Sequence, residues 1–346
     1  MKSWQFWLGA AISAVCIGFV ITQVKDWGQF VRSFVEADYW LLIPIVASYF
    51  GIMLLRAVRW RFILNHCGRV SLRHSFVSIL VCYMGNNVFP LRAGEFMRVF
   101  LIGKQEPSVS YSAAFATVVV ERLFDFAVML MFLAAVLLFI PFPEKYKGLS
   151  KLVHDSGAGT LAGAVMLFVF LYLLYARGEF MSRLIERALF FLSARWRDKI
   201  MSAVKKFNAG LAIMGRPSAL ILTLVLSLLV WTLNLVPVWL SALAFDIHLS
   251  FIGSMFILAV GAAAAAIPAT PGFFGTFHAF NQQAMVFLMG VDPSVALSFA
   301  IVLHATYYFP MAAAGALAAW REGYSLTRLR HEAEETEEES ADPQCR

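Results

Sequence analysis

The apolar residues of this chain come in long unbroken blocks, which excludes most folds before any motif is read. Residues 220–233 run without a charge and without alternation of polar and apolar positions. An α-helix rises 1.5 Å per residue, so about 20 such residues cross a hydrocarbon core of about 30 Å. A membrane-spanning β-strand needs period-2 alternation, which these blocks lack. Charged residues make up 14% of the 346 positions and hydrophobic residues 60%, whereas a soluble domain carries roughly 25% charge. Too little polar surface remains to coat a water-soluble globule. The expected fold class is an all-α polytopic membrane protein.

Full-length spans are expected at 4–24, 39–64, 109–140, 157–176, 218–245 and 293–320, bordered by Trp or Tyr at interfacial positions. The opening apolar run has no small-residue cleavage motif and reads as an uncleaved first span. Orientation follows from the loops. Residues 177–216 hold nine basic residues against Glu179, Glu186 and Asp198, which marks a cytoplasmic loop, part of it amphipathic and lying along the membrane surface. The cluster Arg56, Arg59, Arg61, Arg69 and Arg73, and later Arg321, Arg328 and Arg330, place both termini on the same side. Localisation in a bacterial inner membrane with cytoplasmic termini is expected. The net charge of +6 is absorbed by this positive-inside pattern, so no nucleic-acid partner is expected. Residues 326–346 are acidic, lack apolar periodicity and read as a disordered tail; residues 1–325 form a single transmembrane domain.

Two further apolar regions, 74–104 and 249–290, are interrupted by Pro, Gly and polar residues. Parity of the crossings makes each enter and leave on one side, the first on the inside and the second on the outside. The first is too short for two full spans and a turn, so both read as re-entrant helical hairpins. The order span, hairpin, span thus occurs at 39–140 and again, inverted, at 218–320. The architecture expected is about six full spans plus two re-entrant hairpins in an inverted-topology repeat. In secondary transporters such paired interruptions point to the substrate site; the bland alternative is a pair of ordinary kinked spans.

The first interruption contains Asn87, Pro90, Arg92, Gly94, Glu95 and Arg98. Pro90 and Gly94 break the helix, so the freed backbone groups need protein or water around them. A half-helix starting near Gly94 favours an anion at its N-terminus, and Arg92 and Arg98 add positive charge; positive-inside anchoring explains the same arginines equally well. Glu121, Arg122 and Asp125 share one helical face, and at about 2.5 to 3.5 kcal/mol per unpaired charge at a helix centre they face the protein interior. They read either as an ion-pair lock of Arg122 with Glu121, Asp125 or Glu95, or as a phosphate-binding or proton-coupling group. The second interruption holds Pro268, Thr270, Pro271, Gly272, Gly275 and His278 and has no fixed charge; His304 and Tyr307 of the last span join the same cavity. For both histidines a packed, hydrogen-bonded imidazole is expected ahead of a titrating one.

The four cysteines form no CxxC pair, and no nucleotide cradle, HExxH or GxSxG motif is present. No catalytic residue, metal or cofactor is expected.

At these residues the chain is similar to the lysylphosphatidylglycerol synthase membrane-region family, the flippase-like membrane proteins. The resemblance rests on Arg56-Ala57-Val58-Arg59-Trp60, on 87–98 with its Pro-Leu-Arg-Ala-Gly-Glu core, on Glu121-Arg122-Leu123-Phe124-Asp125, and on 268–272 with Gly275. It covers about residues 5 to 325 and implies movement of an anionic or isoprenoid-linked lipid between leaflets. The bifunctional synthases carry a soluble aminoacyl-transferase domain after the membrane region, where this chain has an acidic tail, so lysine transfer is not expected. The reading that follows is a lipid flippase. Asn87, Arg92, Arg98, Arg122, Thr270, Gly272 and Gly275 would bind substrate, with Glu95, Glu121 and Asp125 as charge partners. Arg59, Pro90, Gly94, Pro268, Pro271, His278, His304 and Tyr307 would line the cavity. A membrane enzyme acting on lipid, with Glu121 or Asp125 as a base, and a non-catalytic scaffold for envelope synthesis docking through 177–216, are the two alternatives.

Overall fold

The structure is a computed structural model that describes residues 3–89, 93–140, 216–267 and 270–324, with positions 159, 162, 163 and 166 besides. The rest of the expected span at 157–176, the loop at 177–216 except Arg216, the acidic tail, and Pro90, Arg92 and Pro268 lie outside the described residues.

All described elements are helical. The chain opens with α1 (Ser3–Gln23) and, after a bend of 95°, α2 (Trp27–Glu36). Then come α3 (Leu42–Leu64), preceded by a 3-10 turn at Tyr39–Leu41, α4 (Leu72–Val88), α5 (Gly94–Gln105) and α6 (Tyr111–Phe139). The second half holds α7 (Pro217–Leu233), α8 (Leu235–Leu243), α9 (Phe251–Ala266), a 3-10 turn at Pro271–Phe273, α10 (Thr276–Met289) and α11 (Pro293–Arg321). Among the described residues four units are long and apolar enough to cross a membrane, Tyr39–Leu64, Tyr111–Phe139, Pro217–Leu243 and Pro293–Arg321, and the bent α1–α2 pair counts as a fifth if it is a single span. The chain is a multi-pass membrane protein.

Local sequence explains the breaks. A residue before proline is driven out of the helical region: Phe89, ahead of Pro90, has φ −105° and ψ 147°, and Ile267, ahead of Pro268, has φ −72° and ψ 131°. These two residues end α4 and α9. Pro237 has no N–H for the Leu233 carbonyl, which divides α7 from α8 while the span continues. Helix α2 is an element that a search for long spans passes over. Asp26 caps it, accepting from the Gln29 N–H at 3.0 Å. It leaves Trp27, Val31 and Val35 exposed, an apolar stripe suited to a bilayer interface.

The interrupted segments fold as helical pairs. Helix α4 packs on α5, and α9 on α10. In the first pair a Cβ at Gly94 would fall on the Cys82 carbonyl oxygen, and one at Gly85 would come 2.7 Å from the Gly94 Cα; only glycines allow the two backbones so close. The base of that pair is tied by Glu106, which accepts from the Ser71 N–H at 2.8 Å and meets the His74 ring at 2.7 Å. Burial alone would raise the Glu106 carboxyl, but these hydrogen bonds outweigh it and hold it below its ordinary value. Helix α4 also packs against α3 and α11, and against the Pro271–Phe273 turn, so the two interrupted segments touch each other.

Candidate functional site

Charges inside an apolar bundle are costly unless paired, and this chain gathers seven in one place. Helix α3 supplies Arg56 and Arg59, α5 supplies Glu95 and Arg98, and α6 supplies Glu121, Arg122 and Asp125. Asp125 is the central residue of the 29-residue α6, about 21 Å from either end at 1.5 Å per residue. The cluster is therefore deep in the helix and not at its rim.

Each carboxylate meets at least two guanidinium groups. Asp125 pairs with Arg59 at 2.5 Å, Arg122 at 3.1 Å and Arg56 at 3.7 Å, and accepts from the Trp231 indole N–H at 3.0 Å. Glu121 pairs with Arg59 at 2.9 Å, Arg98 at 3.2 Å and Arg122. Glu95 pairs with Arg98 at 2.7 Å and Arg122 at 3.6 Å. Arg59 also donates to the Ser227 hydroxyl at 2.8 Å. Arg98 lies 4.9 Å from the centre of the Trp60 ring, whose N–H donates to Thr117 at 3.0 Å.

Among the described residues four guanidinium groups face three carboxylates, which leaves one formal positive charge in that set. Arg56 is the least satisfied of the four. Its ion-pair partner among the described residues is Asp125 at 3.7 Å, it sits between the rings of Tyr83 and Trp231, and its Nε and Nη1 make no hydrogen bond. It is nevertheless 4% exposed. Arg122 and Glu95 form the open edge of the cluster, with side chains 35% and 17% exposed, while the other five members are at most 6% exposed.

The second interruption is a separate arrangement. Gly272 and Gly275 have φ of 74° and 87°, values that favour glycine, and Phe273 adopts φ 58° without that freedom. Thr270 is held by α1: its hydroxyl lies 2.9 Å from the Ser13 hydroxyl, which also accepts from the Thr270 N–H at 3.1 Å. Pro271 opens the 3-10 turn beside it. The His278 Nδ1 accepts from the Gly275 N–H at 3.3 Å, and its Nε2 lies 3.3 Å from the His304 Nδ1. Phe274, Phe277 and Tyr308 pack around this histidine pair. Asn87 joins the two interruptions, donating to the Tyr308 carbonyl at 3.5 Å, with its own carbonyl beside Gly272. Tyr307 packs instead against Tyr49 and Tyr83, and thus towards Arg56.

The structure thus brings Arg59, Glu95, Arg98, Glu121, Arg122 and Asp125 into one cluster near the Gly94 end of α5, and Thr270, Pro271, Gly272, Gly275, His278 and His304 into another. Sequence reasoning missed Arg56, Ser227 and Trp231 as members of the charged site. The signal for Arg56 was its spacing of three from Arg59, which puts both on one helical face.

The chain that carries this cluster has relatives among known proteins. A family model described as the lysylphosphatidylglycerol synthase TM region matches residues 6–315. The chain belongs to that family. The glycosyltransferase AglD of Haloferax volcanii is 28% identical in an alignment 299 residues long that covers 78% of this chain and 47% of AglD; the chain spans about half the length of that relative. Two UPF0104 membrane proteins of Methanothermobacter thermautotrophicus match nearly end to end. One is 28% identical across 82% of this chain and 86% of its own length, the other 23% identical across 84% and 85%. No solved structure matches this member of the synthase TM-region family.

Proposed function

We propose that the protein moves a phosphate-bearing lipid between leaflets, with the phosphate received by the buried charge cluster. The observation that carries this reading is the surplus guanidinium: four arginines against three carboxylates, with Arg56 buried and its Nε and Nη1 without hydrogen-bond partners. A buried cation with only one long ion pair is expensive, and an anion that enters relieves the cost. Arg122 and Glu95, at the exposed edge, form the approach, and Arg92, Thr270, Gly272 and Gly275 are the remaining members of the proposed path. The acyl chains stay in the lipid.

The inverted repeat belongs to the same proposal, as six full spans and two re-entrant pairs. Its support is that contacts recur in matched form. The pairs α3–α4, α4–α5 and α5–α6 have counterparts in α8–α9, α9–α10 and α10–α11, and α4–α11 has its counterpart in α9–α6. Exchange of access between two such halves would present the cluster to each leaflet in turn. The basic ends around Arg61, Arg69, Arg73 and Arg321 face the cytoplasm in this scheme.

The name of AglD favours a second reading, in which the translocated lipid carries a sugar on its phosphate and the protein serves, or takes part in, a glycosyl transfer. Thin-layer chromatography after overexpression separates the two, because transfer makes a new lipid species and transport does not.

The test is translocation of labelled lipids in proteoliposomes, comparing wild type with Arg122→Ala and Arg56→Gln at equal reconstitution. Hydrogen bonds to charged groups contribute about 1.5–3 kcal/mol, so each variant should fall about 10- to 100-fold. Wild-type rates no higher than those of empty liposomes, for anionic, isoprenoid-linked and glycosylated lipids alike, would sink the proposal.

A further inference from the structure

Away from the charge cluster, a cleft of about 610 Å³ opens between α4 and α11. Its walls are apolar, with Phe50 of α3, Phe76 and Leu80 of α4, and Ala313, Ala314 and Leu317 of α11. Its mouth is charged, with Arg73, Arg321 and Glu322. The cleft owes its width to residue size. At Gly315 the helices meet so closely that a Cβ would run into the Leu80 carbonyl and the Met84 side chain. Beside that contact the short side chains of Ala313 and Ala314 leave room.

The dimensions and charge select an occupant. From Pro310 to Arg321 the helix advances eleven positions, about 16 Å along its axis and about half of a hydrocarbon core of about 30 Å. The cleft is therefore one leaflet deep. At its mouth Arg73 is paired with Glu322 at 3.1 Å, and the same carboxylate accepts from Gln105 at 3.1 Å. Arg321 is exposed and has no carboxylate within ion-pair distance among the described residues. One positive charge is thus left over at the end of an apolar slot. The volume lies inside the roughly 300–1,000 Å³ of ordinary ligand clefts.

We propose that this cleft binds one acyl chain of an anionic glycerophospholipid from the leaflet at the basic end of the bundle, with the headgroup phosphate on Arg321 and the outer face of Arg73. The proposal rests on the translocation reading only for its role, as the position where lipid waits before reaching the charge cluster. A transmembrane helix of a second copy would also value the small residues of α11, but it would bring no anion to Arg321.

The experiment uses the full chain in nanodiscs with phosphatidylglycerol carrying a photoreactive group on its acyl chain, and maps adducts by peptide mass spectrometry. Adducts are expected on α11 between Pro310 and Ala318. Unlabelled phosphatidylglycerol should compete at least about fivefold better than phosphatidylcholine, and Arg321→Gln should lower labelling about fivefold, the effect of one basic residue at a membrane surface. Ala313→Trp should abolish labelling by filling the slot. Competition on the wild-type protein decides the matter if that variant folds poorly. Equal competition by both lipids with labelling unchanged in Arg321→Gln would overturn the proposal, as would disulfide-linked dimers of Leu317→Cys forming in place of adducts. Translocation failing while labelling persists counts against the transport reading alone.

Discussion

Asp125 holds three arginines and an indole at once, whereas Arg56 rests on a single ion pair of 3.7 Å. Their neutral replacements should therefore behave oppositely. Asp125→Asn strands Arg59 and Arg122 and should cost about 3–5 kcal/mol of stability, as breaking a buried pair does. Arg56→Gln removes a surplus charge and should leave stability within about 1 kcal/mol of wild type while lowering transport about 10- to 100-fold. Denaturant titration in mixed micelles, read by tryptophan fluorescence, compares the two; a larger loss in Arg56→Gln than in Asp125→Asn would contradict the charge balance described above. Charge scarcity is what made Glu95, Arg98, Glu121, Arg122 and Asp125 legible in the sequence, because an ionised residue within an apolar block has few places to go. Arg56 was hidden by its company. Five arginines in eighteen residues look like interfacial anchors, and only the fold separates those at the rim, Arg69 and Arg73, from those in the core, Arg56 and Arg59. Trp231 was hidden for another reason, since an aromatic ring in a span has the same hydropathy whether it faces lipid or donates to a buried carboxylate.

At the level of helices, the prolines carried most of the legible information. Phe89 and Ile267 leave the helical region where Pro90 and Pro268 require it, so two broken pairs were readable in the right places. The closeness of α4 and α5 was not readable, because a glycine in a sequence does not say which backbone it admits. Gly94→Leu should force those helices apart and destabilise the protein by at least about 1–3 kcal/mol, the ordinary cost of overpacking. Gly51→Leu, at a helical glycine with nothing within 4 Å, should be nearly silent. The same denaturant titration checks both, and comparable losses at the two positions would contradict the packing. Helix α2 was overlooked because ten residues are too few to cross a membrane, although its Asp26 cap and the apolar spacing of Trp27, Phe30, Val31 and Phe34 were in plain view.

Across the whole molecule, hydropathy marks candidate spans but not the neighbours of each helix. Pairings between segments more than a hundred residues apart, such as α4 with α11 or α6 with α9, leave no mark on the hydropathy of either partner. One of the long-range pairings joins α1 to the second interruption: Ser13 meets Thr270, 257 positions later. Synthesis proceeds at about 5–20 residues per second, so about 13–50 s separate the two residues at the ribosome. For that interval α1 is in the bilayer without its docking surface. In a cysteine-free background, a Ser13→Cys probe should react readily with a membrane-permeant thiol reagent in chains arrested near residue 260, and at least about tenfold more slowly in the finished protein, where position 13 is 3% exposed. Equal reactivity would show that α1 does not wait. Helix α1 is thus made long before it is seated, and a nascent chain arrested before α10 holds α1 with the face around Val20 and Val24 uncovered.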